Sequence, residues 1–177
     1  MNPRLANWNE AEEDEAITAL LHCCRAQRWA HALAAARPFS SEKALYAAAD
    51  IHWAAMQEPD WMEAFRAHPR IGERKVAHAT PQSRQWSSQE QAPVDSAQAT
   101  ILEQLASGNA CYEELFGFTY IVCATGKSAE EMLAILNLRL ESDRQTELSE
   151  AAEQQRQITQ IRLRKWLQTP VTAGANA

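Results

Sequence analysis

One histidine stands where a helix-forming segment meets a proline, and imidazole is the side chain best suited to exchanging protons near neutral pH. The segment is AFRAHPRIGE, and its histidine is His68. We expect Pro69 to end the helix directly after His68, because the residue before a proline is disfavoured in the α conformation. A histidine on an apolar stripe is more often a hydrogen-bonded core residue than a catalyst. A helix end beside a polar loop, however, can present an imidazole to a pocket from a rigid backbone.

A second group of polar side chains follows in the segment WSSQEQ. Ser87 and Glu90 have the spacing of a helix capping box, which is the structural interpretation. Pro93 would make any helix capped by Ser87 short or kinked. Ser87, Glu90 and Gln91 would then gather a hydroxyl, a carboxylate and an amide on one short turn, where they could bind a small polar ligand.

Two arginines fall inside the apolar arcs of helical patterns. Arg139 lies on the side of Met132 and Leu136, and Arg162 lies among Ile158 and Trp166. Each could extend a snorkelling stem or join a buried ion pair. Each could equally present a planar guanidinium to a carboxylate or a ureido carbonyl. The pattern alone does not decide between these roles. Arg70 and Glu73 are expected to pair with each other and hold the loop after Pro69.

Composition excludes several classes of function. The net charge is −6 and the pI is about 5.4, which disfavours nucleic acid or an anionic membrane as the partner. No apolar run approaches the length of a membrane span. No two of the five histidines are spaced i, i+3 or i, i+4, and there is no phosphate-binding loop, dinucleotide fingerprint or nucleophile elbow. The four cysteines are expected to be small buried residues rather than disulfides. The remaining chemistry is a site of His, Glu and Arg without a metal or cofactor.

Helical periodicity dominates the chain and predicts an all-α bundle of about six to eight helices in a single domain. Asn9 with Glu12, and Ser128 with Glu131, resemble capping boxes, and Gly117 can end a long helix. The run FTYIVCA is the one β-like stretch, and we interpret it as a buried extended connector or an irregular helix start. Helices are predicted over residues 9–24, 27–36, 41–56, 59–68, 95–117 and 128–140, and from the turn ESDRQTE to about residue 167.

Several motifs together resemble the 2-oxo-4-hydroxy-4-carboxy-5-ureidoimidazoline (OHCU) decarboxylases of urate degradation. They are RPF at 37–39, AFRAHPRIGE at 64–73, SSQEQ at 87–91, ELFGFTYIVCATGKS at 114–128 and LNLRLESDRQTEL…ITQIRLRKWL at 136–167. They span nearly the whole chain in order. One departure is Tyr120, where phenylalanine is common, and its phenol could add a hydrogen bond or simply pack.

The resemblance implies an all-α, cofactor-free and usually dimeric enzyme that converts OHCU to S-allantoin and carbon dioxide. By motif it implies that His68 is the proton donor, that Glu90 is its catalytic partner and that Arg162 is the essential arginine, with Arg164 as the near alternative. The implied substrate contacts are Pro69, Ser87, Ser88, Gln89, Glu90, Gln91, Tyr120, Ile121, Val122, Cys123 and Ala124. No metal ligand is implied.

We expect one helical domain over residues 1–167, a flexible tail over 168–177, a cytoplasmic location, a small-molecule substrate and a homodimer, with no nucleic-acid or membrane partner. The alternative is a helical binding module in which His68 and Glu90 only finish helices. A third interpretation is a ureide or hydantoin hydrolase, which would use a bound metal or an activated water.

Overall fold

Eight helices make up the part of the chain that the structure, a computed structural model, describes. The described residues are 1–71, 82, 85–86, 89 and 99–169. No strand occurs among them, so the predicted all-α bundle of six to eight helices is confirmed. The helices are α1 (Pro3–Glu10), α2 (Glu13–Cys23), α3 (Gln27–Ala35), α4 (Glu42–Ala54), α5 (Glu58–Phe65), α6 (Ala99–Phe116), α7 (Ala129–Arg139) and α8 (Arg144–Gln168).

Three of the predicted helix ends are confirmed. Ser128 and Glu131 form the full capping box of α7, with the Ser128 amide donating to the Glu131 carboxylate at 2.7 Å and the Glu131 amide donating to the Ser128 hydroxyl at 3.2 Å. Ser41 caps α4 by accepting from the Ala44 amide. Gly117 ends α6 with φ at +82°, a conformation that costs glycine little because it has no Cβ.

The predicted capping box at Asn9 is wrong. Asn9 lies inside α1, whose cap is Asn2, and α2 begins at Glu13 without a side-chain cap. The Asn9 side chain instead forms two hydrogen bonds to the backbone of Phe39, one to its amide and one to its carbonyl, both at 2.9 Å. An asparagine amide offers a donor and an acceptor together, so it can bind an extended backbone as well as it caps a helix.

Helix α5 ends at Phe65, three residues earlier than the proline rule predicts. The amides of Ala67 and His68 donate to the carbonyls of Ala64 and Phe65, in bonds of 3.2 and 3.0 Å that span three residues. This tighter turn satisfies carbonyls that the helix end leaves unpaired. His68 therefore lies on a turn beyond the helix, and not in its last turn.

The chain divides into two compact units. The first is Met1–Asp60 with Thr159–Ala177, and the second is Trp61–Ile158, so α8 contributes residues to both. In the first unit Trp8 stacks on Phe39 and meets the edge of Trp166. In the second, aromatic rings from α5, α6 and the connector after α6 form one buried cluster: Phe65, Tyr112, Phe116, Phe118 and Tyr120. The division into a domain over 1–167 and a tail stays a prediction, and residues from 170 lie outside the described part.

All four cysteines are free thiols. Cys23, Cys24 and Cys123 are buried, as expected for small core residues, whereas Cys111 is exposed, so the expectation is wrong there. Burial raises the pKa of the Cys23 thiol, and nearby Arg162 opposes that rise only in part. Of the helices described, none combines the length and apolar character needed to cross a membrane.

Candidate active site

Four hydrogen-bonded contacts fix the turn that carries His68. Its amide donates to Phe65 at the end of α5. Two residues later, Arg70 forms a two-pronged ion pair with Glu113 of α6, at 2.9 and 2.6 Å. The carbonyl of Ile71 then accepts from the Asn109 side chain at 3.2 Å. Glu73, the expected partner of Arg70, lies outside the described residues, so that pairing stays a prediction.

The fourth contact is made by the imidazole itself. Nε2 of His68 lies 2.7 Å from Oε1 of Gln155, a residue of α8 with no exposed surface. His68 and Pro69 are half-buried. One nitrogen of the ring is thus committed to the protein, while the backbone around it is tied to both α5 and α6. Because the backbone and the ring of His68 are both held, its side chain loses little further conformational freedom when a ligand binds.

The run FTYIVCA is a connector without helix or strand between α6 and α7, so it is not the irregular helix start that was the second interpretation. Tyr120, Ile121, Val122, Cys123 and Ala124 are all buried. The Tyr120 hydroxyl donates to the Met132 carbonyl of α7 at 3.2 Å, so the phenol both packs and forms a hydrogen bond. Burial raises the pKa of Tyr120, which keeps this hydroxyl protonated as a donor.

Arg139 is the anchor of this connector. Its Nη1 donates to the Ile121 carbonyl at 2.7 Å, while its Nε pairs with Glu147 at 2.8 Å. Tyr112 joins the pair by donating to Glu147 at 2.5 Å. Burial alone would lower the pKa of Arg139, but Tyr112 and Glu147 reverse the direction, so the guanidinium stays charged. Of the two alternatives for Arg139, the buried ion pair is the one observed.

Gln154 holds the other end of the connector. Its Oε1 accepts from the Cys123 amide at 2.8 Å, and its Nε2 donates to Glu150 at 2.8 Å, which fixes the orientation of the amide. Lys127 binds the Cys123 carbonyl. The amides of Tyr120, Ile121, Val122 and Ala124 have no acceptor within the described part of the chain. Buried amides without a partner are costly, so these four are candidate donors to a ligand.

His68 and the connector meet at consecutive residues of α8. Gln155 contacts the imidazole and Gln154 contacts the Cys123 amide. All of these residues belong to the second compact unit. Gln154 and Gln155 were not predicted from the sequence to be functional, and neither were Glu113 and Glu147. The one available signal was that Gln155 falls on the apolar face of its helix, where a polar side chain needs a partner.

The two candidate arginines near the end of α8 belong to the first unit and differ in their surroundings. Arg162 is 6% exposed, whereas Arg164 is exposed and lies over the ring of Tyr46, with 4.9 Å between Cζ and the ring centroid. The Tyr46 hydroxyl donates to Glu42, and burial together with that bond raises the pKa of Tyr46 to about 12. Arg164 is therefore occupied by a surface stacking contact.

The segment WSSQEQ is described only in part. Trp86 is buried and Gln89 is exposed. Ser87, Ser88, Glu90 and Gln91 lie outside the described residues, so their predicted contacts with substrate stay predictions. A cavity of about 260 Å³ in the second unit is lined by α5, Glu113 and residues 117–119, and contains none of the predicted site residues. Among the described residues, no group of three or more His, Cys, Asp or Glu side chains is arranged to hold a metal ion.

Comparison with known proteins gives a consistent set of matches. The family model of OHCU decarboxylases matches residues 9–164. The Arabidopsis thaliana uric acid degradation bifunctional protein TTL is 35% identical over 144 residues, which cover 81% of this chain and 44% of that protein. The 2-oxo-4-hydroxy-4-carboxy-5-ureidoimidazoline decarboxylase of Amia calva is 31% identical over 107 residues, covering 60% of this chain and 61% of its own length. The chain thus spans about half the length of these relatives.

Two solved structures are similar in fold. A crystal structure of OHCU decarboxylase in the presence of (S)-allantoin has a TM-score of 0.72 and 34% identity, covering 90% of this chain and 100% of that one. A crystal structure of (S)-allantoin synthase has a TM-score of 0.67 at 20% identity and supports the fold alone.

Proposed function

This chain belongs to the OHCU decarboxylase family, and on that premise we propose that it converts OHCU to S-allantoin and carbon dioxide in urate degradation. The observation that carries the proposal is the meeting of His68 and the 120–124 connector at Gln155 and Gln154. The imidazole proposed as proton donor and the Cys123 amide of the connector therefore both contact the same turn of α8.

The reaction sets three tasks for the protein. Loss of carbon dioxide breaks a carbon–carbon bond and leaves its electron pair in the conjugated ring of the substrate. The ring carbon that carries the ureido group then takes up a proton, and the hydroxyl-bearing carbon becomes a carbonyl. The protein must orient the carboxylate, stabilise the developing negative charge and deliver the proton to one face. The ring itself accepts the electron pair, so the proposal includes no cofactor.

His68 is the proton donor in this proposal. The bonds of its turn to α5 and α6 fix the position of its backbone, and Gln155 fixes its ring. A rigid donor favours one face of a planar intermediate, which is the requirement for a single enantiomer. Glu90 is proposed to orient either the imidazole or the substrate's N–H groups. Pro69 and the polar residues Ser87, Ser88, Gln89 and Gln91 are proposed to contact the substrate beside it.

The connector is proposed to stabilise the developing negative charge. Of its amides, that of Cys123 already donates to Gln154, which leaves those of Tyr120, Ile121, Val122 and Ala124 for the substrate. One well-placed donor of this kind contributes about 3–4 kcal/mol to transition-state stabilisation in other enzymes.

Arg162 is the arginine proposed to bind a carboxylate or ureido oxygen of the substrate. Arg162 is 6% exposed, whereas Arg139 is paired with Glu147 and Arg164 is exposed over Tyr46. A planar guanidinium binds a carboxylate through two parallel hydrogen bonds, which fixes the orientation of the carboxylate as well as its position.

The oligomeric state and the cellular location are proposed from the family resemblance. We propose a homodimer, measurable by sedimentation equilibrium, and a cytoplasmic location, with no nucleic-acid or membrane partner. The alternative function, a helical binding module, predicts no turnover.

The test is to supply freshly generated OHCU and follow the circular dichroism of the allantoin formed. The proposed function predicts rapid formation of the S enantiomer, whereas spontaneous decay gives slow formation without stereochemical preference. Product that forms at the spontaneous rate and without optical activity would contradict the proposal and favour the binding module.

A further inference from the structure

Two peptide units of the connector bind a cation through their carbonyl oxygens. Nη1 of Arg139 donates to the Ile121 carbonyl at 2.7 Å. Nζ of Lys127 donates to the Cys123 carbonyl, also at 2.7 Å. Hydrogen bonds from a charged donor are shorter and stronger than those between neutral groups. Arg139 is buried and Lys127 is half-buried, so both contacts are at least partly shielded from water.

Each of these peptide units also carries one of the candidate donor amides. The Ile121 carbonyl and the Val122 amide belong to one unit, and the Cys123 carbonyl belongs with the Ala124 amide to another. Both peptide bonds are trans, so each N–H points away from the cation bound at the carbonyl. Neither amide has an acceptor among the described residues. A ligand bound by either amide would therefore lie at the opposite end of the peptide unit from the cation.

A cation at the carbonyl strengthens the amide at the other end of the same unit. It draws electron density toward the oxygen, which makes the N–H more positive and a better donor. At Arg139 the charge of Glu147 offsets part of this effect, because the two side chains form an ion pair at 2.8 Å. The effect is therefore most open to measurement at Lys127 and the Ala124 amide.

We propose that Lys127 and Arg139 are positioning residues that polarise the Ala124 and Val122 amides, so that these two amides donate to the negative charge that develops in the reaction. The inference thus selects two of the four candidate amides. The role of the amides toward a reacting substrate rests on the proposed decarboxylation. The polarisation does not, and it can be measured with no substrate present.

The first measurement is the amide ¹⁵N chemical shift of Ala124 in the full-length protein without substrate. A hydrogen bond to a carbonyl deshields the nitrogen of the same peptide unit, so loss of the cation should move this signal upfield. We expect the upfield shift in Lys127→Met and a signal close to wild type in Lys127→Arg, which keeps a charged donor. Lys43→Met removes an exposed lysine of α4 and is the control, which should leave the signal unchanged.

The second measurement is kinetic and uses freshly generated OHCU. Lys127→Met should lower kcat about three- to tenfold, because it weakens one donor to the developing charge without removing that donor. KM should change less than about twofold, since the charge is largest in the transition state. Lys127→Arg should recover most of the loss in kcat. Lys127→Gln, which keeps a neutral donor, should recover little of it, whereas a contact that only shapes the connector predicts equal recovery in these two variants.

Three results would overturn the inference: an Ala124 signal that does not move in Lys127→Met, a wild-type kcat in that variant, or equal recovery of kcat in Lys127→Gln and Lys127→Arg. If Lys127→Met does not fold, Lys127→Gln also removes the charge and gives the same readouts. If the signal moves as expected but the wild type forms no S-allantoin beyond the spontaneous rate, the proposed function fails and the polarisation stands. An active wild type whose kcat does not depend on Lys127 contradicts this inference alone.

Discussion

At the scale of single residues, the proposed chemistry depends on a half-buried imidazole. Gln155 binds its Nε2, and Arg70 of the same turn forms an ion pair with Glu113. This ion pair ties the turn that carries the imidazole to α6.

Substitution of Arg162 should impair the reaction much more than substitution of Arg164. We expect Arg162→Gln to lower kcat/KM by about ten- to a hundredfold, since a hydrogen bond to a charged group contributes about 1.5–3 kcal/mol. Arg164→Gln is the matched control, two residues along the same helix, and should change kcat/KM less than about twofold because that side chain is exposed. Steady-state kinetics with thermal melts of both variants measures this. The reverse order of effects would identify Arg164 as the substrate arginine.

Removal of Arg139 should destabilise the fold. Its side chain is 8% exposed and that of Glu147 is 1% exposed, so Arg139→Met leaves a buried carboxylate without its cation. We expect a loss of about 3–5 kcal/mol in the free energy of unfolding, measured by urea denaturation. The control is Arg156→Met, which breaks the surface pair with Glu153 and should cost no more than about 1 kcal/mol. Equal losses in the two variants would argue against a structural role for the Arg139 pair.

At the scale of elements, helix ends follow from local chemistry wherever the capping side chain has no stronger competitor. The Ser128 and Glu131 box, the Ser41 cap and the Gly117 stop were all predictable for that reason. Asn9 has the same spacing, but the Phe39 backbone, thirty residues away, binds its side chain. The sequence gives no sign of that long-range partner, so the competition cannot be seen before the fold is known.

The cap of α7 offers a clean test at this scale. Ser128→Ala removes one half of the capping box and should lower the free energy of unfolding by about 1 kcal/mol. Ser149→Ala is the control, because that exposed hydroxyl donates to the carbonyl four residues before it in α8 and caps no helix. Urea denaturation of both variants gives the comparison. A Ser128→Ala variant as stable as the control would mean that tertiary packing alone fixes the start of α7.

Some residues of the candidate site could be predicted from the sequence, and others could not. His68 was identifiable from its place before a proline, and the connector from its apolar, β-like residues. Gln154 and Gln155 were not identified, because an amide on a helix gives no sign of its partner. Arg139 remained open between two roles until the position of Glu147 was known, since eight residues and a turn separate the two in sequence.

At the scale of the whole molecule, the chain is acidic, with a net charge of −6, while the proposed substrate is an anion. Binding of that anion would depend on local groups, and the proposal therefore uses a buried arginine and amides that have no acceptor among the described residues. The two compact units share α8, whose residues 154 and 155 belong to the second unit and whose Arg162 belongs to the first.

A metal-free reaction is the expectation at this scale. Extensive dialysis against a chelator should leave the rate of S-allantoin formation unchanged, because the substrate ring provides its own electron sink. The measurement is the rate before dialysis, after dialysis, and after addition of zinc or magnesium. Loss of activity that a metal restores would favour the hydrolase interpretation, in which a metal-activated water attacks the ring.

The most direct test of the central claim is the handedness and rate of allantoin formation by His68→Ala. The substrate is freshly generated OHCU, the readout is circular dichroism, and a far-UV spectrum matching the wild type verifies folding. We predict a loss of roughly a hundredfold or more in rate, together with a loss of S-selectivity as spontaneous protonation takes over. A folded His68→Ala variant that keeps the wild-type rate and still forms S-allantoin would contradict the role of His68 as the proton donor.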